Sequence, residues 1–292
     1  MDKLDIAIER IKTASDMSLT FYQKPLMICY SGGKDSDCLL QLSIMAKVPI
    51  EVVHSHTTAD APETVLYVRK VFRDLELKGI PVNIIYPTYK GMRTSMWDLI
   101  VQKSIPPTRL MRYCCDILKE TSGRDRHICT GVRWAESAKR KNGRGIFEDI
   151  NRNKKERIIL SNDNDDKRKL FERCQLKSKT VTNPIIDFTD SDVLGFNREF
   201  CTHHNPLYDC GYDRVGCIGC PVAGKKRYKE FEDYPKYKQL YLLAFDRMLK
   251  ARKAKGLATK WETNIEVFKW WMEEDPNQLN FFTWNRRVDD EL

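Results

Sequence analysis

Residues 25–36, PLMICYSGGKDS, contain the strongest indication of the fold. This stretch opens with a short apolar run typical of a buried strand and passes at Ser31-Gly32-Gly33 into a glycine turn. A helical pattern then covers residues 35–46. Because the N-terminus of a helix that follows such a turn presents backbone N–H groups, it is a site for anions such as phosphate. The sequence therefore predicts a phosphate-binding loop at residues 31–36.

Strand and helix patterns alternate around this loop. Apolar runs predict strands at residues 50–54, 82–86 and 127–131, and helical periodicity predicts helices at residues 4–13, 61–77, 94–103 and 193–200. This alternation is typical of a mostly parallel sheet covered by helices on both faces, as in Rossmann-like α/β folds. The last third is helical and aromatic, over residues 228–255 and 265–274. We therefore expect an α/β domain followed by a helical C-terminal part.

The predicted domain boundary lies after residue 222. Residues 1–222 form the nucleotide-binding domain with the clustered cysteines, and residues 223–292 form a helical extension. Within the first domain, residues 139–169 are rich in Lys, Arg, Asn and Asp, which predicts a flexible basic insertion in which only residues 157–160 resemble a strand.

Composition favours a folded cytoplasmic protein with anionic ligands. The chain has 292 residues, of which 41% are hydrophobic, so it can fill a core. Its N-terminus is acidic and amphipathic, and no stretch approaches the roughly 20 apolar residues of a membrane span, so we expect no membrane partner. Fifty Lys and Arg against 41 Asp and Glu give a net charge of +9, which favours nucleotides or a nucleic-acid backbone as ligands.

The chain contains ten cysteines, which fall into two kinds. In a reducing cytoplasm, clustered cysteines indicate metal binding or catalysis, whereas scattered ones are usually small buried hydrophobes. Cys217 and Cys220 form a C-x-x-C pair, which suits a redox disulfide, half a zinc site or half an iron–sulfur site. The other doublet is Cys114-Cys115, and adjacent cysteines are awkward ligands for one zinc but suit two irons of one cluster. The scattered cysteines are Cys29, Cys38, Cys129, Cys174 and Cys201.

The ordered motifs resemble a known family. SGGKDS resembles the PP-loop of the ATP pyrophosphatases; it is not a Walker A loop, because Ile28 stands where that loop requires glycine. RYCCDILK, residues 112–119, resembles the Arg-x-Cys-Cys…Lys segment of adenylylsulfate reductases in the sulfonucleotide (PAPS/APS) reductase superfamily. The resemblance continues at residues 130–137, 183–185, 205–212 and 216–220, so it covers roughly residues 28–221.

The resemblance implies an adenine nucleotide α-hydrolase fold that binds ATP or an adenylyl sulfate nucleotide. Lys34, Asp35 and Arg133 are the implied catalytic residues: Lys34 neutralises phosphate charge, Asp35 holds the loop or a Mg²⁺ ion, and Arg133 grips a phosphate or sulfate. A 4Fe–4S cluster near the phosphates is implied for Cys114, Cys115, Cys217 and Cys220. The implied nucleotide-binding residues are Ser31, Gly32, Gly33, Lys34, Asp35, Ser36, Thr57, Gly131 and Arg133. Thr57, like Thr58 and Glu63, serves equally well as a cap for the following helix.

One departure from the family bears on function. Its reductases use a cysteine near the C-terminus as nucleophile, but no cysteine follows Cys220 in this sequence. We therefore expect an ATP pyrophosphatase that acts as an iron–sulfur sulfurtransferase, similar to DNA phosphorothioation proteins of the Dnd and Ssp systems and to cluster-dependent tRNA thiolases. The alternatives are a reductase that forms sulfite, with Cys210 or Cys201 as a relocated nucleophile, and a non-catalytic nucleotide-binding accessory subunit.

The expected partners are an adenine nucleotide, a nucleic acid such as DNA, and a sulfur-donor protein. Basic clusters predicted to contact nucleic-acid phosphates are Lys139-Arg140-Lys141, Lys154-Lys155, Lys225-Lys226-Arg227 and Arg252-Lys253. Trp261, Trp270 and Trp271 are expected in the core, and Cys210 is left open as a cluster ligand, a nucleophile or neither.

Overall fold

The computed structural model describes residues 2–120, 122–151, 156–161 and 179–273. Its described residues divide into two compact units, the first from Met1–Pro87 with Leu118–Gly216 and the second from Thr88–Ile117 with Cys217–Leu292. The second unit thus contains residues 88–117 in addition to the C-terminal part expected from the sequence. Within the described chain, no helix is both long enough and apolar enough to cross a membrane.

The secondary structure follows the predicted alternation. The strands are β1 Leu26–Cys29, β2 Ile50–Ser55, β3 Val82–Ile85, β4 Thr88–Tyr89, β5 Met92–Arg93, β6 His127–Cys129, β7 Phe147–Asn151, β8 Glu156–Ser161 and β9 Lys179–Thr182. The helices are α1 Lys3–Met17, α2 Lys34–Met45, α3 Pro62–Leu77, α4 Met96–Lys103, α5 Tyr113–Leu118, α6 Ala138–Gly143, α7 Asp190–Phe200, α8 Lys226–Asp233, α9 Pro235–Ala254 and α10 Asn264–Met272.

A seven-stranded sheet organises the first unit, with the strand order β3-β2-β1-β6-β9-β7-β8. The five strands from β3 to β9 are parallel, and β7 is antiparallel to both β9 and β8. The chain leaves β1 toward β2 and β3 and later returns on the other side of β1 as β6. This reversal of strand order creates a crevice at the carboxyl ends of β1 and β6, where ligands bind in open α/β sheets.

Both faces of the central part of the sheet are buried, which is why β1 is a continuous apolar run. Ile28 and Val52 pack with Ile11, Leu39 and Phe72 in one large cluster, to which α1, α2, α3 and α7 contribute. On the other face, a smaller cluster contains Met27, Val53, Ile128 and Val181. The predicted Rossmann-like, mostly parallel α/β fold with a helical C-terminal region is confirmed.

The segment expected to be a flexible insertion contributes two strands to this sheet. β7 and β8 pair with each other, and β7 also pairs with β9. Polar residues suit β7 because its buried Glu148 has protein donors: Arg144 Nε at 2.9 Å, Gly145 N at 2.8 Å and Asn183 Nδ2 at 3.2 Å. Residues 152–155 and 162–169 lie outside the described residues, so the predicted flexibility of these segments stays a prediction. Cys174 also lies outside the described residues.

An aromatic core organises the second unit. The ring of Tyr241 lies 4.6 Å from those of both Trp97 and Trp271, and Trp271 Nε1 donates to Pro107 O at 2.7 Å. Trp261, Trp270 and Trp271 are 4%, 7% and 1% exposed. Their predicted place in the core is confirmed, so none of them is available as a platform for bases.

Candidate functional site

The predicted phosphate loop lies between β1 and α2, as the sequence indicates. Gly32 has φ of +76°, and a Cβ there would lie 2.9 Å from Val68 Cγ2, so only glycine fits. Ser36 Oγ accepts from Gly33 N at 3.1 Å and donates to Gly33 O at 2.7 Å. Ser31 Oγ donates to Ser36 Oγ at 3.2 Å. These bonds fix the turn at the N-terminus of α2, where the helix dipole favours an anion.

Two cations of the predicted site converge on one carboxylate. Arg133 Nη2 and Lys34 Nζ lie 2.8 and 3.1 Å from Asp190 Oδ1, and Arg133 Nε donates to Asp35 Oδ1 at 2.7 Å. The Arg133 side chain is 2% exposed, whereas that of Asp190 is 65% exposed. The guanidinium predicted to grip a phosphate therefore binds protein carboxylates here. It ties the first turn of α2 to the start of α7.

The two carboxylates bound by Arg133 have opposite pKa shifts. Burial raises the pKa of Asp35, and this effect outweighs the opposing attraction of Arg133 and Lys34. Hydrogen bonds from Arg133 and Lys34 lower the pKa of the exposed Asp190. Because Asp190 is solvated and ionised, it is the carboxylate that an incoming phosphate would compete with for the two cations.

Gly131 holds the loop after β6 against the phosphate loop. A Cβ at Gly131 would lie 3.0 Å from Asp35 O and 3.1 Å from Asp35 C, and backbone atoms cannot move aside cheaply. Glycine at this position therefore lets the ends of β1 and β6 approach closely. The structure thus brings together residues 31–36, Gly131 and Arg133, as predicted.

Thr57 lies at the end of the neighbouring strand β2. It is 1% exposed, its backbone N donates to Asp60 Oδ2 at 2.8 Å, and its hydroxyl accepts from Ala59 N at 3.3 Å. These bonds shape the turn that leads into α3, but the N-cap of α3 is Ala61 without a side-chain cap hydrogen bond, so Thr57 does not cap this helix. Its predicted contact with a nucleotide stays a prediction.

Several residues that support the loop were not predicted as site residues. The Tyr208 hydroxyl accepts from Lys34 N at 2.9 Å, Asn205 Nδ2 donates to Gly32 O at 2.9 Å, and Asn197 Nδ2 donates to Lys34 O at 2.9 Å. The motif at residues 205–209 was a signal for two of them. Asp190 was not predicted as a site residue, because nothing local in the sequence indicates its pairing with Lys34.

All four cysteines predicted as metal ligands belong to the second unit. The pKa of Cys114 is raised by a hydrogen bond with Cys115, by burial and by the nearby thiols of Cys217 and Cys220, so the four are neighbours. Cys220 N donates to Cys217 O at 3.2 Å, which closes the C-x-x-C turn. Arg112 Nη2 donates to Cys115 Sγ at 3.1 Å, which places a cation beside the thiols.

Gly219 fixes this turn against the aromatic core. It has φ of +73°, and a Cβ there would lie 2.6 Å from Phe231 Cζ and 2.9 Å from Tyr241 Cε2. Gly219 N donates to Glu230 Oε2 at 2.7 Å, and the Tyr241 hydroxyl donates to Ile218 O at 2.9 Å. Cys217 and Cys220 are therefore held by a tightly packed turn, which would suit metal ligands.

Four neighbouring cysteines offer a Cys₄ ligand set, which can hold a zinc ion or a 4Fe–4S cluster. Among the described residues, no three of these thiols lie within 4.8 Å of one another. The 4Fe–4S cluster stays a prediction for these cysteines.

Residues 25–223 match the phosphoadenosine phosphosulfate (PAPS) reductase domain family. The chain belongs to this family. Among curated relatives, this PAPS reductase domain protein is 26% identical over 210 residues to Uncharacterized protein MJ0066 of Methanocaldococcus jannaschii, covering 68% of this chain and 37% of that protein. It is 24% identical over 265 residues to Uncharacterized protein MJ0973 of the same organism, covering 85% and 55%. The chain thus spans about a third to about half of these relatives.

Solved structures similar to this PAPS reductase domain protein include a PAPS reductase from Candida auris in a phosphate complex. The TM-score is 0.44 at 16% identity, covering 71% of this chain and 87% of that one. Another is the U34-tRNA thiolase NcsA from Methanococcus maripaludis with its 4Fe–4S cluster. The TM-score is 0.41 at 14% identity, covering 88% and 83%.

The remaining candidate residues of this PAPS reductase domain protein differ in environment. Burial raises the pKa of Cys201 to about 12, so its thiol is protonated at neutral pH and is a poor nucleophile. Cys210 is exposed and lies in the first unit, in the turn after Tyr208. His203 and His204 are exposed on the surface.

Part of the predicted nucleic-acid contact surface is wrong. Arg227 is 3% exposed and donates to Trp271 O at 2.9 Å, and Arg252 is 3% exposed and donates to Ser104 O at 2.7 Å. Both guanidinium groups satisfy buried carbonyls, so neither can reach a phosphate. Arg140 pairs with Glu136. The side chain of Lys139 and residues Lys154-Lys155 lie outside the described part of the chain.

Proposed function

We propose that this chain is an adenylating ATP pyrophosphatase that transfers sulfur to a nucleic acid with a 4Fe–4S cluster, as in DNA phosphorothioation. The observation that carries the proposal is the SGGKDS loop between β1 and α2, at the crevice flanked by the ends of β1 and β6. Membership in the PAPS reductase domain family supports a nucleotide substrate. Because the chain spans only part of its curated relatives, the activity of the whole protein is part of the proposal.

Each residue of the phosphate loop has a distinct role in the proposed reaction. Gly32 and Gly33 let the triphosphate approach the backbone, and the hydroxyls of Ser31 and Ser36 donate to phosphate oxygens. Lys34 and Arg133 exchange Asp190 for phosphate oxygens and stabilise the charge that develops on pyrophosphate. Asp35, held by Arg133, orients the first turn of α2, and its free lone pairs suit a Mg²⁺ ion bound to the phosphates.

The proposed reaction has two balanced steps. An acceptor oxygen attacks the α-phosphorus of ATP, an acceptor–AMP bond forms, and pyrophosphate leaves. Hydrosulfide released by a donor protein then attacks the activated acceptor atom, the bond to sulfur forms, the S–H proton passes to solvent, and AMP leaves with the acceptor oxygen. The four cysteines fit a 4Fe–4S cluster, which when bound supplies iron sites for sulfur or electron transfer.

Surface charge supports a nucleic acid as the acceptor. The chain carries a net charge of +9, and a phosphate backbone is bound mainly through such cations. Arg227 and Arg252 are buried and cannot contribute to such binding. The second unit does expose lysines at positions 225, 226, 229, 236, 238, 250, 253, 255 and 260.

The second candidate is a sulfonucleotide reductase, which the family match favours. That reaction needs a thiolate nucleophile, and residues 221–292 contain no cysteine. The buried Cys201 thiol is a poor replacement, which leaves the exposed Cys210. A nucleotide-binding accessory subunit without its own turnover is the third candidate.

The acceptor is tested by sulfur labelling. The anaerobically purified chain is incubated with ATP, ³⁵S-sulfide and either double-stranded DNA or tRNA, and the nucleic acid is digested to nucleotides. We expect ³⁵S in phosphorothioate nucleotides, with one AMP formed for each sulfur and no label in the Lys34→Ala variant. Label found in tRNA but not in DNA would identify tRNA as the acceptor. Label found in DNA when ATP is omitted would contradict the adenylation step.

A further inference from the structure

A second group of ligand atoms lies at the end of β2, apart from the cysteines. His54 is the fifth residue of β2, and His56 and Asp60 follow in the turn before α3. Each of the three residues offers one ligand atom, and these atoms lie within 4.8 Å of one another. Among the described residues, no other group of His, Cys, Asp or Glu side chains is this close.

His54 has a buried nitrogen with no hydrogen-bond partner. The residue is 5% exposed, and its Nδ1 lies 3.0 Å from Tyr30 O, so Nδ1 carries the proton. Nε2 therefore has a free lone pair, and no atom of the described residues donates to it. An unsatisfied buried acceptor costs about 1–3 kcal/mol. A histidine whose other nitrogen donates to a backbone carbonyl is the usual form of a metal-bound imidazole.

The turn after β2 brings the second imidazole and the carboxylate together. His56 Nδ1 lies 3.5 Å from Asp60 Oδ2. Asp60 is 7% exposed, and the same oxygen accepts from Thr57 N at 2.8 Å. The turn requires φ of +66° at Thr58, an uncommon conformation for a β-branched residue. The backbone thus adopts a strained conformation that places Asp60 beside His56.

A small cavity adjoins the two imidazoles, and its surroundings include positive charge. The cavity measures about 20 Å³, and its lining includes His54, His56 and Arg69 but not Asp60. This volume accommodates about one water-sized particle.

We propose that His54 Nε2, His56 and Asp60 bind a divalent transition-metal ion of the zinc class. Two imidazoles and a carboxylate suit zinc and its first-row neighbours, whereas magnesium prefers oxygen ligands. Three protein ligands leave at least one coordination position for water or a ligand oxygen. This site differs in residues and in ligand chemistry from the four cysteines, and it does not depend on the proposed sulfur transfer.

Zinc alone is the probe. The full chain is stripped with a chelator, resupplied with zinc chloride and analysed by elemental analysis and by X-ray absorption at the zinc edge. Thiolate-bound zinc contributes equally in the wild type and in each variant, so the difference between them reports the histidine site. We expect imidazole scattering in the wild type and one zinc fewer per chain in His56→Gln and in Asp60→Asn. Residual binding in the variants should be at least about tenfold weaker.

The variants are chosen so that folding does not decide the outcome. Asp60→Asn keeps an oxygen that accepts from Thr57 N, and His56 is only half-buried. The matched control is His203→Gln, which alters another histidine near an aspartate, with Nε2 3.9 Å from Asp74 Oδ2, and should keep the full zinc content. Equal zinc content in the wild type and both variants overturns the proposal. Sulfur-only coordination of zinc in the wild type overturns it whatever the variants show.

Discussion

Arg133 Nε donates to Asp35 Oδ1 at 2.7 Å, although the two residues lie 98 positions apart in the chain. This bond ties the loop after β6 to the first turn of α2, and it is made by a guanidinium that is 2% exposed. Arg133 therefore positions the phosphate loop. It also places a positive charge beside Lys34, since both cations contact Asp190 Oδ1.

Replacing Arg133 should affect both stability and nucleotide binding. Arg133→Met leaves the largely buried Asp35 carboxylate without its cation, which should lower the free energy of unfolding by about 3 kcal/mol. It should also abolish ATP binding measured by calorimetry. Arg126→Met is the control, because Arg126 pairs with Glu51 at 2.7 Å and is no part of the predicted site. Wild-type ATP affinity in Arg133→Met would contradict the role given to this residue.

The phosphate loop should depend on charge and on close backbone approach. Lys34→Ala removes a counter-charge and Gly33→Val blocks the phosphates, so each should weaken ATP binding at least about tenfold while the fold is kept. Lys47→Ala, a change of an exposed lysine just after α2, is the control. Unchanged affinity in both loop variants rules out residues 31–36 as the phosphate site.

Asp190 should compete with the nucleotide for Lys34 and Arg133. Asp190→Asn removes the competing charge, so ATP should bind more tightly, whereas Asp192→Asn in the same turn should have no effect because Asp192 pairs with Lys3. Calorimetry with and without Mg²⁺ is the measurement. Weaker binding of magnesium–ATP by Asp190→Asn would instead assign Asp190 to the metal.

The cysteine site should lose its iron when its ligands or its turn are changed. Anaerobically purified protein is expected to be brown with about four irons per chain, and Cys217→Ser or Gly219→Ala should bleach it. Gly256→Ala is the control for Gly219→Ala, since its φ is +67° but no atom lies within 4 Å of an added Cβ. Stoichiometric zinc in a colourless wild-type preparation would contradict the cluster.

Stability should fall as pH rises from about 4 to 7 because of Asp37. Burial raises its carboxyl pKa from 3.8 to about 7. The folded chain therefore binds more protons than the unfolded chain in this window, so the contribution of Asp37 is present below pH 4 and lost by pH 7. The side chain in Asp37→Asn cannot ionise. As pH rises from about 4 to 7, the free energy of unfolding of this variant should therefore increase relative to that of the wild type, by about 1.4 kcal/mol for each unit of the pKa shift. A pH-independent difference between the two proteins would contradict this assignment.

The sequence predicts strands well where both faces of the sheet are apolar. β1, β2 and β3 are such runs followed by turns, and their bounds agree within a residue or two. β9 was missed because its buried Thr180 and Thr182 hydrogen-bond the two ring nitrogens of His127, at 2.8 and 2.7 Å. A polar layer inside a sheet has no hydropathy signal, since its residues are satisfied only by partners distant in sequence.

In the candidate site, too, local motifs could be predicted from the sequence and contacts between distant residues could not. The loop and the paired cysteines were found because each is a local motif with its own chemistry. The pairing of Lys34 with Asp190 joins residues 156 positions apart, and the cap sequence around Asp190 explains it without any site. Arg227 and Arg252 were misassigned to the surface because a basic cluster in sequence does not show which side chains satisfy buried carbonyls.

The most direct test of the account compares two substrates. The anaerobically purified chain is supplied in parallel with ATP and nucleic acid, and with adenylyl sulfate or its 3′-phosphorylated form and a thiol reductant. AMP, pyrophosphate and sulfite are measured in both reactions. We predict equal amounts of AMP and pyrophosphate from ATP, lost in Lys34→Ala, and little sulfite from either sulfonucleotide. Robust thioredoxin-dependent sulfite formation without pyrophosphate from ATP would contradict the account and would point to Cys210 as the nucleophile.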